Sequence, residues 1–177
     1  MDRELELKVL NIDLDEMEDI LIKKGAKKIS EELQKNHTFS PKTSKEFPNG
    51  YLRIREKTVD GKKADTELTF KESVDDKEGI RVNNEYTTLI SSTSNMTRIL
   101  KEIGLVERYV GSKKRISYEY RGQRFDLDTW SEDVYPKPYM EIEFTNLNLV
   151  DEILEELGID QENVTSESIN ELIEKQR

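Results

Sequence analysis

The stretch ELELKVL, residues 4–10, decides how this chain folds. Glu4, Glu6 and Lys8 alternate with Leu5, Leu7 and Val9, and a period of two is the period of an extended strand whose successive side chains point to opposite faces. One face of this strand is apolar. The other carries two carboxylates and an ammonium.

The same alternation recurs down the chain. LRIRE puts Arg53 and Arg55 opposite Leu52 and Ile54, and ELTFK puts Glu67, Thr69 and Lys71 opposite Leu68 and Phe70. In KKRISY, Lys113 and Arg115 share a side; in FDLDTW, Asp126 and Asp128 oppose Phe125 and Leu127; in YMEIEF, Glu141 and Glu143 oppose Met140, Ile142 and Phe144. An antiparallel sheet with one face on helices and the other in water would produce an alternation of this kind. A solvated face, however, ordinarily mixes Thr, Ser, Gln and Lys, whereas here acids pair with acids and bases with bases. A sheet curled shut with its charged face inward accounts for that pairing.

Between the strands the elements alternate in type. DLDEMEDILIKKGA reads as a helix with Leu14, Met17, Ile20 and Leu21 on one stripe, an Asp at its start and Gly25 at its end. STSNMTRILKEIGL reads as a second, opened by capping residues and closed by Gly104. LVDEILEELGI and SESINELIEKQR read as helical, and AKKISEELQKNHTFS as extended. Two hairpins are expected, one with Asp-Gly in its DGKKAD connection and one turning at Arg121-Gly122. PKTSKEFPNG has two prolines and a glycine and reads as a loop; with the residues before it, 36–48, it is expected near the mouth of the closed sheet. No repeat, linker or low-complexity segment interrupts the chain, so residues 1–177 read as one α+β domain.

Composition narrows the function classes. Only 34% of the 177 residues are hydrophobic, 37% are charged, and the formal net charge is −10. Such a surface repels nucleic acid and anionic membranes, and neither is expected as a partner. No run is long and apolar enough to span a membrane and MDRELELK has no signal-peptide core. The absence of cysteine excludes disulfides and thiolate metal sites and fits a cytoplasmic protein, monomer or homodimer. Clustered carboxylates without Cys or His are hard-ligand chemistry, suited to Mg²⁺ or Mn²⁺. Paired Arg and Lys facing them would neutralise phosphate charge. Together they describe a polyphosphate site.

These segments resemble the CYTH superfamily, the triphosphate tunnel metalloenzymes. ELELK is similar to its Glu-x-Glu-x-Lys signature, LRIRE to its Arg-x-Arg strand, ELTFK to its Thr-x-Lys strand, KKR to its Lys-x-Arg strand, FDLDTW to its aspartate segment and YMEIEF to its closing Glu-x-Glu strand. The order agrees from residue 4 to about residue 144, and SESINELIEK resembles the usual terminal helix. The resemblance implies an eight-stranded antiparallel closed barrel, open at both ends, with helices outside.

It implies divalent metals on Glu4, Glu6, Asp128, Glu141 and Glu143, and phosphate oxygens on Lys8, Arg53, Arg55, Lys71, Lys113 and Arg115. Lys8 and Asp128 would be catalytic, and Glu85 and Asp126 are further inward acids. Members hydrolyse inorganic triphosphate, nucleoside triphosphates or thiamine triphosphate, and some cyclise ATP to cyclic AMP. Because few adenine-reading groups stand on the inward face, hydrolysis is the expectation, with cyclisation and a non-catalytic polyphosphate-binding module as alternatives. EDVYPKP, between Asp128 and Glu141, replaces the family's Leu-Gly turn. There Trp130 and Tyr135 either line the mouth or pack on a helix. His37 reads as an exposed residue at a strand end and not as a catalytic acid.

Overall fold

A computed structural model of the protein describes residues 2–44, 47–77 and 79–175. The alternating segments form β1 (Asp2–Val9), β2 (Lys27–Pro41), β3 (Gly50–Val59), β4 (Lys62–Lys63), β5 (Thr66–Lys77), β6 (Ile80–Ile90), β7 (Leu105–Tyr120), β8 (Gln123–Trp130), β9 (Tyr139–Glu143) and β10 (Val164–Thr165). The helices are α1 (Leu14–Lys23), α2 (Thr93–Glu102), α3 (Val150–Glu156) and α4 (Ile169–Glu174).

Eight strands pair antiparallel in the order β1-β6-β5-β3-β2-β7-β8-β9, and β9 returns to β1 through Glu6↔Glu143 to Val9↔Met140. That last pairing closes the sheet into a barrel. Closure removes the free edges that an open sheet would expose. The short β4 and β10 are appended to β3 and β1. Both expected hairpin turns are two-residue connections, Asp60-Gly61 and Arg121-Gly122, with positive φ at both central positions (49° and 77°; 53° and 72°). That is the turn whose twist matches the strands it joins, and Gly takes the second position at no steric cost.

The apolar faces point outward and the helices cover them. Leu7, Val9, Phe125, Leu127, Met140 and Ile142 pack with Met17 and Leu21 of α1 and with Ile153 and Leu154 of α3. On the other flank Phe39 and Ile54 pack with Leu100 of α2. Each side chain fully buried there contributes about 1.5–3 kcal/mol. Helix ends follow the sequence signals. Asp13 accepts from the backbone N–H groups of Asp15 and Glu16 at 2.9 and 3.1 Å, Ser92 accepts from Asn95 N–H at 3.2 Å, and Ser168 with Glu171 forms a reciprocal capping box.

Two readings need correction. Residues 36–41 belong to β2 and not to a loop; only the segment after Pro41 turns away, and Lys45 and Glu46 of it lie outside the described residues. His37 is not an exposed strand-end residue. It lies within β2, 8% exposed, on the outer face of the barrel, with Nδ1 at 2.8 Å from Glu107 and Nε2 at 3.2 Å from Glu56. Two carboxylates tether the ring there, and it faces away from the charged interior.

Candidate active site

Strand registry gathers the inward side chains. Glu6 stands opposite Glu143 and Lys8 opposite Glu141 across the β1–β9 seam; Asp126 stands opposite Glu141 and Arg115 opposite Asp128. Arg53 faces Thr69, Lys71 faces Glu85 and Tyr51, and Asn36 faces Arg55. Every residue assigned to the site from the sequence, Glu85 and Asp126 included, therefore lies on the inner wall.

One zone is acidic. Glu4, Glu6, Glu85, Glu141 and Glu143 share it with the ammonium groups of Lys8 and Lys71. Lys71 Nζ lies 2.5 Å from Glu4, 3.0 Å from Glu6 and 3.5 Å from Glu85, and Lys8 Nζ lies 3.4 Å from Glu6 and 3.2 Å from Glu141. Burial is the largest single influence and opposes both ammonium charges, but the neighbouring carboxylates together outweigh it, Glu6 and Glu4 at Lys71 and Glu6 and Glu141 at Lys8, and both pKa values are raised. Glu141 is buried too, yet Lys8 and Arg115 hold it well below the usual carboxylate range.

Glu143 behaves differently. Among the described residues it has no cation at ion-pair distance, and burial with Glu4 close by pushes its carboxyl up to about 7. Burial also raises Glu4. Five carboxylates against two ammoniums leave an excess of negative charge. A divalent cation would offset it, and all the donors are hard oxygens. The residues thus fit Mg²⁺ or Mn²⁺ in their chemistry, although among the described residues no three acids are already drawn into a ligand cage.

A pH dependence follows from Glu143. An acid whose pKa is raised on folding favours the folded state below its unfolded pKa, and this is lost as pH rises through the folded value. Metal-free protein is therefore expected to lose melting temperature between pH 5 and pH 8, and Glu143→Gln to flatten that slope, as thermal scans across the range would read. An unchanged slope in the variant would place the titration elsewhere.

The other zone is basic. Lys113 and Arg115 are buried and Arg53 and Arg55 largely so; burial opposes all four charges, but nearby acids raise Arg53 and Arg115 while Arg55 and Lys113 are depressed. Burial and the neighbouring Arg53 and Arg115 bring Arg55 down to about 10; burial and Arg115 bring Lys113 down to about 7. Asp128, 0% exposed, belongs to this zone and stands apart from the glutamates: Lys113 Nζ reaches it at 2.8 Å, and Arg115 grips it with Nε and Nη2 at 2.7 and 2.6 Å. Arg115 joins the zones, because Nη2 also reaches Glu141 at 3.3 Å and Nη1 reaches Asp126 at 2.5 Å. Asp126 is further held by Ser117 at 2.6 Å and Arg124 at 2.9 Å.

β2 supplies inward side chains that the charge pattern does not reveal, Glu32, Gln34 and Asn36. Gln34 donates to Glu32 at 2.6 Å, and Asn36 accepts from Arg55 Nε at 3.1 Å. Among the described residues three buried side-chain polar atoms have no hydrogen-bond partner: Gln34 Oε1, Asn36 Nδ2 and Arg53 Nε. Amides carry no charge, so pairing of acids and bases gave no signal for them; only their alternation with Leu33, Lys35 and His37 could have placed them inside.

One end of the barrel is roofed. Arg81 on β6 reaches Glu171 at 2.7 Å, and Tyr109 on β7 donates to Asn170 at 2.7 Å, so α4 lies tied across the mouth. Beneath it is a cavity of about 670 Å³ lined in part by Phe47, Tyr51, Arg108 and Tyr109. Trp130 and Tyr135 resolve toward packing, with Tyr139 and with Leu172 and Ile173 of α4. Trp130 donates to the Tyr139 hydroxyl at 3.0 Å and its ring lies 5.5 Å from Lys113 Nζ. Gly111 makes this possible, since a Cβ there would come within 3.0 Å of the indole.

Fold and site together define a closed antiparallel barrel whose interior is divided between carboxylates and cations. The chain belongs to the CYTH family: the CYTH domain matches residues 2–169. Members of this family act on triphosphates, as hydrolases or cyclases, and in general depend on a divalent metal. Among solved structures, a conserved hypothetical protein of Pyrococcus furiosus is similar with a TM-score of 0.79 at 23% identity, over 96% of this chain and 99% of that one. A Hippeastrum protein described as revealing a dominant triphosphatase activity is similar with a TM-score of 0.71 at 18% identity, over 100% and 97%. A proposed adenylate cyclase of Vibrio parahaemolyticus gives 0.71 at 11% identity, over 97% of both chains. At these identities the likeness speaks for the fold alone. No curated protein sequence matches significantly. No helix among the described residues is long and apolar enough to cross a membrane.

Proposed function

We propose that this protein hydrolyses a triphosphate, inorganic or nucleoside, inside the barrel with the help of Mg²⁺ or Mn²⁺. The observation that carries the reading is the pair of unmet charges on the inner wall. Among the described residues Glu143 is a half-buried acid with no cation at ion-pair distance, and Arg55 is a largely buried guanidinium with no carboxylate at ion-pair distance. A polyanion with a divalent cation satisfies both at once. The description of the Hippeastrum relative supports hydrolysis over cyclisation.

Glu4, Glu6, Glu141 and Glu143 would hold the metal, which supplies charge neutralisation on the phosphates and a water of lowered pKa. Arg53, Arg55 and Lys113 hold phosphate oxygens, and their fixed positions stabilise charge as it builds on the transferring group. Arg115, gripped by Asp128 and Asp126, keeps the basic wall in place. Lys8, among the glutamates, and Asp128, held in the basic zone by Lys113 and Arg115, would orient the attacking water. Purified protein incubated with inorganic triphosphate and with ATP, each with Mg²⁺ and then Mn²⁺, is expected to release orthophosphate, read by chromatography. Cyclic AMP with pyrophosphate would replace hydrolysis by cyclisation. Absence of any product would leave a binding module.

A further inference from the structure

The inner wall contains a group that the charge signature does not include. Asn36 on β2 is 1% exposed and stands between Arg55 on β3 and Gly111 on β7. Its Oδ1 accepts the Arg55 Nε–H at 3.1 Å, which leaves Nδ2 buried with no acceptor among the described residues. Arg53 Nε is in the same condition. Gly111 opposite has no side chain to take the amide hydrogens. Native interiors seldom leave buried donors unmet, so such a group calls for a ligand or a water.

The choice of an amide has a charge consequence. A carboxylate at position 36 would accept the same Nε–H and cancel the guanidinium charge. An amide oxygen fixes the orientation and leaves the charge intact, which matters because Nε of Arg is one of five donors in a rigid fork. With Nε occupied, the terminal nitrogens of Arg55 remain for a ligand. Two guanidiniums and one amide N–H on adjacent strands suit an oxyanion with several acceptor oxygens and more than one negative charge.

Resting on the triphosphate reading above, we infer that Asn36 is a positioning and anion-binding residue: it holds Arg55 by Oδ1 and donates Nδ2–H to a phosphoryl group, forming with Arg53 a subsite that takes phosphate without a divalent metal. The subsite lies in the basic zone, so it engages one end of a triphosphate whose remainder reaches toward the glutamates.

The test uses the full chain in chelator, titrated with inorganic triphosphate and with orthophosphate by calorimetry. Wild type is expected to bind both. Asn36→Asp keeps the acceptor for Arg55 but replaces the amide donor with a charged acceptor. It should weaken triphosphate at least tenfold and abolish orthophosphate binding, while the ligand-free melting temperature holds or rises because Arg55 gains an ion pair. Asn36→Ala should weaken both anions without that gain, and it decides the matter if the Asp variant fails to fold. In turnover with Mg²⁺, Asn36→Asp should raise KM about tenfold with kcat within twofold. Binding within twofold of wild type in both variants, or wild-type binding only when metal is present, overturns the inference and would leave a water as the partner of Nδ2. The two readings fail separately. If wild type turns nothing over, the hydrolase reading falls while the metal-free titration still decides Asn36; if wild type hydrolyses and the variants match it, only the inference falls.

Discussion

Arg115→Met is expected to cost the protein about 3–5 kcal/mol of stability, the usual consequence of removing one partner from a buried ionic network. Methionine replaces most of the volume, so little of this is packing. The guanidinium is nine-tenths buried and touches three acids, Asp128 through two bonds of 2.7 and 2.6 Å, Asp126 at 2.5 Å and Glu141 at 3.3 Å. Lys113, Arg124 and Lys8 each retain one of these acids, so the network is weakened and not emptied. In a domain of this size the loss corresponds to a fall in melting temperature of roughly 10 °C.

The pH dependence distinguishes electrostatics from packing. Burial opposes ionisation of Asp128, but Arg115 and Lys113 hold its pKa down, so in wild type it contributes stability that is present above about pH 4 and lost as pH falls through the folded value. The deficit of the variant should therefore shrink on acidification. Adding Asp128→Asn should recover part of the loss at neutral pH. A melting temperature within about 2 °C of wild type would mean that the network contributes far less than its geometry suggests.

Glu4→Gln combined with Glu6→Gln should lower triphosphate turnover by about a thousandfold or more, since charge stabilisation by a metal supplies several kcal/mol and each 1.36 kcal/mol is a factor of ten. The amides keep the shape and can still accept from Lys71, whose two shortest contacts are to these side chains. What they lose is the negative charge that draws a divalent cation. Mn²⁺ binding by calorimetry should weaken in parallel, with the fold intact by circular dichroism. Full activity in the double variant would put the metal elsewhere on the wall.

The sequence carries the fold where charge and period coincide. ELELKVL, LRIRE and YMEIEF announce both a strand and its inner face, because acids and bases stand out against Leu and Ile. Cross-strand pairing is a different matter. That Asp128 would sit on Arg115 and Lys113, apart from the glutamates, depends on the β7–β8 register, which no spacing within either strand encodes. β2 is the least legible strand: its inner face is built from Glu32, Gln34, Asn36 and Thr38, and its outer face includes Lys35 and a buried His37, so polarity does not separate the two. The His37 environment comes from Glu56 and Glu107 on two other strands. Trp130 packs inward only because position 111 is glycine, nineteen residues earlier in the chain but adjacent through the fold.

The seam between β1 and β9 has a consequence for how the chain becomes a barrel at all. It joins the first strand to one more than 130 residues later, and the pair at one end of it is Glu6 facing Glu143. Like charges directly opposed across a ladder weaken it, so the seam with the greatest loop-closure cost is fastened by Lys8 on Glu141 toward one end and strained by two carboxylates at the other. A cation held by these oxygens would act as a clasp between the two ends of the sheet. Its concentration would then set how firmly the barrel is fastened, by mass action on the closed form, and a cell that withdrew it would loosen the cylinder at its hem before disturbing any helix.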